Sequence, residues 1–210
     1  MKKDFTMLKD KECFTALSNV GFCTREQLIN NIKGMSNKRI DNYLKAGYIK
    51  KEICNKRNEN IISYKLTKEG KNYINKTFGI KHNYVPQNPH HDKALADKYF
   101  SLSNSERASW KNETVLKNEM KDLFKELSYT KGVYEYENKQ TGEIEKYTGD
   151  ELLQRYQEGE FSVVDCSYTS DSGVQVVYEV ETNQYGKAEI NAKLEYCNII
   201  NAEYSSVRIK

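Results

Sequence analysis

The stretch TREQLINNIKGMSNKRIDNYLKAGYIKKEIC, residues Thr24–Cys54, decides how the front of this chain folds. It opens on Thr24-Arg25-Glu26-Gln27. There the Thr24 hydroxyl can accept from the Gln27 amide and the Gln27 side chain can reach back, a capping box. A short helix follows, with Leu28, Ile29 and Ile32 inward and Gly34 as its stop. Ser36 is the next N-cap. The helix after it, Asn37–Ala46, buries Ile40, Tyr43 and Leu44 and closes at Gly47. Ile49–Cys54 then reads as a strand.

Working outward, Leu8, Cys13, Ala16, Leu17 and Val20 fall near one face of a helix over Lys9–Asn19, ended by Gly21. Downstream, the polar run Asn55–Asn60 is a turn and Ile61–Leu66 the returning strand of a hairpin. Thr67 caps a helix from Lys68 to about Phe78. Three helices, a basic hairpin and a trailing helix, in that order, give the winged helix-turn-helix layout.

Charge singles out the same segment. Residues 1–81 hold 18 Lys and Arg against 8 Asp and Glu, and the other 129 residues hold 15 against 22. The whole-chain value of +3 hides this split. A basic part fused to an acidic part predicts docking on a polyanion, here double-stranded DNA. The start of the third helix would enter the major groove, with Asn37, Lys38, Arg39 and Asn42 as its reading face. Lys50, Lys51, Lys56 and Arg57 on the hairpin would contact phosphates or the minor groove. A winged helix used as a protein–protein scaffold is the plain alternative.

Composition removes other classes. No apolar run approaches the ~18 residues of a membrane span, so no membrane partner is expected. Met1-Lys2-Lys3-Asp4 leads into no apolar signal core, which predicts a cytoplasmic protein. Five scattered cysteines, none in a CxxC pair, fit neither a disulfide frame nor a zinc site. Three histidines, at 82, 90 and 91, leave little material for a Ser-His-Asp triad. Adjacent His90 and His91 are poorly placed to share one ion, so they and Asp92 read as a helix start.

Pro86 and Pro89, the only prolines, mark a linker over residues 82–91 between domain 1–81 and domain 92–210. The second domain mixes helices and strands, so the fold class is α+β. Helices are predicted from His91-Asp92 to about Leu102, from Asn112 to Leu127, over Asp150–Gln157 and over Lys187–Ile200. Strands are predicted over Val133–Tyr136, Glu143–Tyr147, Phe161–Ser167, Val174–Glu181 and Ser206–Lys210. Asp165 lies late in one strand, and Glu179 and Glu181 share a face at the end of the next. Such carboxylates at neighbouring strand ends can hold Mg2+ or Mn2+, since hard cations prefer oxygen. Lys187 or Lys193 could then stabilise charge developing on phosphate, and Glu113 or Glu119 complete the cluster. Ordinary solvated acids at strand ends are the competing account.

The chain resembles the replication-relaxation family of bacterial plasmids, phages and integrative elements. The likeness runs through Phe14-x-x-Leu17, Thr24-x-x-Gln27-Leu28, Tyr43-Leu44-x-x-Gly47-Tyr48-Ile49 and Tyr64-x-Leu66-Thr67-x-x-Gly70. It continues through His90-His91-Asp92-x-x-Leu95, Asp165, Tyr178-Glu179-Val180-Glu181-Thr182 and Lys193-Leu194-x-Tyr196. The resemblance implies a small mixed α/β domain of the PD-(D/E)xK nuclease kind behind the winged helix. It makes Asp165 and Glu179 the metal-binding acids, and Asp165, Glu179, Glu181 and Lys193 the candidate catalytic set. Two departures stand out: Glu181 occupies the place of the expected lysine, and no proline precedes Asp165. Lys193 would be a migrated lysine. The implied role is replication, relaxation or mobilisation of DNA. Metal-dependent nicking and a non-cutting, assembly-supporting domain both remain open. So do a relaxase, replication or host defence protein as partner, and a homodimer. Two rivals are a transcriptional regulator with a partner-binding or dimerising second domain, and a phage inhibitor of a host nucleoprotein.

Overall fold

The computed structural model describes residues 5–56 and 59–209. The fold is mixed α+β. It divides into two units, Met1–Ser103 and Asn104–Lys210.

The first unit runs α1 (Leu8–Val20), β1 (Cys23–Thr24), α2 (Arg25–Asn31), α3 (Asn37–Lys45), β2 (Ile49–Lys56), β3 (Glu59–Leu66), α4 (Lys68–Phe78) and α5 (Pro89–Ser101). Its sheet has the order β1-β3-β2, with both pairings antiparallel. The capping residues do what their chemistry predicts. Thr24 Oγ1 accepts from the Gln27 amide at 3.2 Å, and Gln27 Oε1 accepts from the Thr24 amide at 2.8 Å. Ser36 and Thr67 cap α3 and α4 in the same manner. Phe5, Phe14, Tyr43, Tyr48 and Tyr73 form an aromatic core between α1, α3 and α4. Phe14 lies 4.8 Å from Tyr43, and Tyr48 stacks on Tyr73 at 4.3 Å. Each such pair adds about 0.5–1.5 kcal/mol beyond its buried area.

The prolines do not divide the domains. Asn88 caps α5 by accepting from the His91 amide at 3.0 Å, so Pro89 sits at the first helical position, where its missing N–H costs nothing. The preceding segment is held down. Tyr84 is buried, its amide donates to the Ser18 carbonyl at 2.8 Å, and it packs over Gly21. Gln27 Nε2 donates to Asp97 Oδ1 at 2.6 Å, which ties α2 to α5. Residues 82–101 thus belong to the first unit, and the expected boundary at 82–91 lies inside it.

The second unit runs α6 (Asn104–Ala108), β4 (Lys111–Asn112), α7 (Glu113–Thr130), β5 (Val133–Asn138), β6 (Glu143–Thr148), α8 (Gly149–Glu158), β7 (Cys166–Thr169), β8 (Gln175–Glu181), α9 (Lys187–Ile199) and β9 (Glu203–Arg208). Strands β5 and β6 form a separate hairpin. The main sheet has the order β4-β7-β8-β9, antiparallel except for the parallel pair β8–β9, which α9 connects. Leu116, Met120 and Phe124 of α7, Val177 of β8, and Tyr196 and Ile199 of α9 make its core. The strand expected from Phe161 begins only at Cys166. Phe161, Val163 and Val164 enter the core outside any strand.

Two constraints generate predictions. Gly70 on α4 lies so close to Tyr48 that a Cβ would overlap the Tyr48 carbonyl oxygen. Gly70→Ala should therefore lower unfolding stability by about 1–3 kcal/mol in urea titration, and an unchanged midpoint would contradict this packing. The second constraint is Asp10, fully buried in α1. It accepts from Arg39 Nε at 2.8 Å, Arg39 Nη2 at 2.5 Å, the Met7 amide at 2.9 Å and the Tyr43 hydroxyl. Burial pushes its carboxyl up, but the hydrogen bonds from Arg39, Tyr43 and Met7 outweigh that and hold it below the ordinary aspartate range. A lowered folded pKa contributes stability that is present above the unfolded value and lost as pH falls through the folded one. Asp10→Asn should cost about 3–5 kcal/mol at neutral pH. It should also flatten the loss of stability below about pH 4. Thermal unfolding of both proteins from neutral to acid pH measures both effects, and parallel curves would contradict the second.

Candidate functional site

Two sets of side chains concentrate chemistry, one in each unit. In the first unit, Ile40 and Tyr43 anchor α3 on the core. Its first turn is left outward, with Asn37 and Lys38 exposed and Asn42 half-buried. On β2, Lys50 and Lys51 are exposed. Lys38 and Lys51 form no ion pair among the described residues. Lys50 is partly neutralised. Its Nζ lies 2.5 Å from Glu52, which Lys65 also meets at 2.8 Å. Those two lysines, Lys50 first, hold the Glu52 carboxyl below its ordinary range. Arg57 and the side chain of Lys56 lie outside the described residues.

Arg39 departs from the reading face. Its guanidinium grips buried Asp10 through two hydrogen bonds and lies over the Phe5 ring at 4.7 Å. Only 18% of the side chain is exposed. A guanidinium committed to a buried carboxylate is not available to a base edge, so Arg39 is a positioning residue for α3. Spacing held a signal for this: Arg39 lies four residues before Tyr43 and so shares its helix face.

Arg25 is a residue that sequence reasoning missed. Its Nε donates to the Tyr64 hydroxyl at 2.9 Å, Nη1 to Asn37 Oδ1 at 2.9 Å and Nη2 to Asp41 Oδ1 at 2.7 Å. It therefore locks α2, the start of α3 and β3 together. These elements line a groove of ≈ 810 Å³ to which Arg25, Ile29, Asn37, Lys51, Ile62 and Tyr64 contribute. Asp41, on the outer side of α3, places a negative charge beside Asn37 and Lys38. In the sequence Arg25 looked only like the second residue of a capping box.

In the second unit the register does bring Asp165 and Glu179 together. Cys166 pairs with Tyr178 at the end of the antiparallel ladder, and Asp165 and Glu179 are the residues just beyond that pair. Both side chains are buried. Glu179 Oε2 accepts from the Asp165 amide at 2.9 Å, and Asp165 Oδ2 accepts from the Val180 amide at 2.8 Å. Glu179 Oε1 takes the Tyr185 hydroxyl at 2.5 Å and lies 3.1 Å from Lys193 Nζ. Burial, and then the charge of Asp165, push the Glu179 carboxyl above its ordinary range, while Lys193, Tyr185 and the Asp165 amide pull the other way. Tyr185, in the loop between β8 and α9, was not foreseen; its phenol is pushed up by burial and by Glu179.

Glu181 does not join them. It pairs in register with Arg208 on β9 and accepts from Arg208 Nε and Nη2 at 3.1 and 2.8 Å and from Tyr204 at 3.2 Å. A hydrogen bond from Ser206, ahead of Arg208 and Tyr204, holds its carboxyl low. Glu113 pairs with Lys117 at 2.6 Å and Glu119 with Lys111 at 2.8 Å, so neither completes an acidic cluster. Among the described residues no three His, Cys, Asp or Glu side chains converge as metal ligands. Both Glu179 oxygens serve protein donors in this arrangement.

His91 Nδ1 lies 3.3 Å from Asp92 Oδ1 and 3.4 Å from the Tyr84 hydroxyl, all three residues being buried.

Compared with known proteins, the chain matches no family model, no curated protein and no solved structure.

Proposed function

We propose that this chain binds duplex DNA through its first unit and serves replication, relaxation or mobilisation of a plasmid, phage or integrative element. The observation that carries the reading is the exposed first turn of α3. It leaves Lys38 exposed, with Lys51 exposed on β2 and Asn37 held in place by Arg25, on a segment with ten more basic than acidic residues. The order helix, strand, helix, helix, strand, strand supports a winged helix, in which α3 reads the major groove and the β2–β3 hairpin is the wing. Asparagine matches adenine there, and lysine matches guanine or phosphate. Arg39 acts indirectly, by setting where α3 stands.

For the second unit we propose a nuclease-like framework. The β7–β8 pair followed by α9 and parallel β9, with Asp165 and Glu179 facing each other, supports that likeness. The replication-relaxation resemblance rests on the motifs quoted above and supplies the biological setting.

Full-length protein titrated onto labelled random duplex, followed by fluorescence anisotropy at several salt concentrations, tests the DNA-binding reading. Affinity should fall steeply with salt. Lys38→Ala and Lys51→Ala should each lower the slope of log K against log[salt] by about 1, with unfolding stability unchanged. Arg39→Ala should instead lower stability. Absence of binding to any duplex at low salt, together with tight capture of a protein partner, would replace this reading with the nucleoprotein-inhibitor rival.

A further inference from the structure

Within the Asp165–Glu179 pair, Glu179 already has a cation. Lys193 rises from α9 with its side chain 12% exposed, and its Nζ sits 3.1 Å from Glu179 Oε1. The same ammonium donates to the Val163 carbonyl at 2.5 Å. It is therefore fixed at two points, one on β8 and one on the segment that leads into β7. Tyr185 closes over the same Glu179 oxygen. The remaining Glu179 oxygen and one Asp165 oxygen are taken by backbone amides. A compact point charge with three donors suits this position, where a carboxylate and a carbonyl must be met at once.

We propose that Lys193 is the resident counter-ion of this pair, standing where a divalent ion would otherwise neutralise the two acids. The second unit then takes no divalent metal at Asp165 and Glu179. Instead, the lysine-neutralised pair braces β7, β8 and α9 against one another. The inference concerns this unit alone and is independent of DNA binding by the first.

The physical reason is the cost of burying carboxylates. Two acids facing each other in the interior repel, and each loses its water. One positive charge offsets part of both effects. A lysine supplies it at every metal concentration. A metal would have to expel Lys193 and Tyr185, and the displaced ammonium would then need a new partner for its charge.

The test uses the full chain and Mn2+ as probe. Free Mn2+ is read by electron paramagnetic resonance, and unfolding is read by melting in EDTA and at about 1 mM Mn2+. Wild type should melt at the same temperature in both. Its Mn2+ uptake should be nil, or unchanged in Glu179→Gln. Lys193→Met keeps the stem but removes the charge; it should melt several degrees lower in EDTA and recover with Mn2+. Lys193→Arg should restore indifference to Mn2+. One equivalent of Mn2+ bound by wild type and lost in Glu179→Gln would overturn the proposal. So would a Lys193→Met protein as stable as wild type in EDTA. If Lys193→Met does not fold, the wild-type and Glu179→Gln uptake measurements decide alone.

Discussion

One buried carboxylate governs the first unit. Asp10 lies in α1, and its partners Arg39 and Tyr43 lie in α3. An unpaired buried acid is so costly that α3 has little freedom to rotate or slide. With Arg39 and Tyr43 turned inward, helical spacing leaves Asn37, Lys38 and Asp41 on the outside. The outward face of α3 is thus a consequence of an interior ion pair. Arg25 adds a second lock from the solvent side, bridging α2, α3 and β3. That lock is partly exposed, so it orders the surface more than it stabilises the fold.

The second unit repeats the theme with opposite emphasis. Asp165 and Glu179 are set face to face by a strand register, and backbone amides, Tyr185 and Lys193 answer their charge from within the chain. Glu181, two residues on, has its own answer in Arg208. The three acids that sequence gathers into one cluster are thus divided between two sets of partners. Both units place buried charge where elements must be held in register, and both satisfy it locally.

Local signals were legible because they act over a few residues. Thr24 with Gln27, Ser36, Thr67 and the glycine stops each announce a helix end through hydrogen bonds three residues away. The β2–β3 hairpin is announced by a polar turn between apolar runs. What escaped depends on distance. Asp10 and Arg39 are 29 positions apart, so a basic residue near a helix start looked like a surface group. The two-residue strands β1 and β4 carry no periodicity. Pro86 and Pro89 looked like a linker because proline marks both loops and first helical positions, and the burial of Tyr84 that decides between them is tertiary. The facing of Asp165 and Glu179 was legible from alternation and a tight turn. The capture of Glu181 by Arg208 was not, since β9 pairs with β8 only after a helical crossover.

The central claim, that the first turn of α3 and its neighbouring hairpin meet duplex DNA, is most directly tested by hydrogen–deuterium exchange of the full chain with and without a bound duplex. Slowed exchange concentrated over residues 37–53 on adding DNA is the predicted result. Protection absent from those residues, or confined to 104–210, would contradict the account.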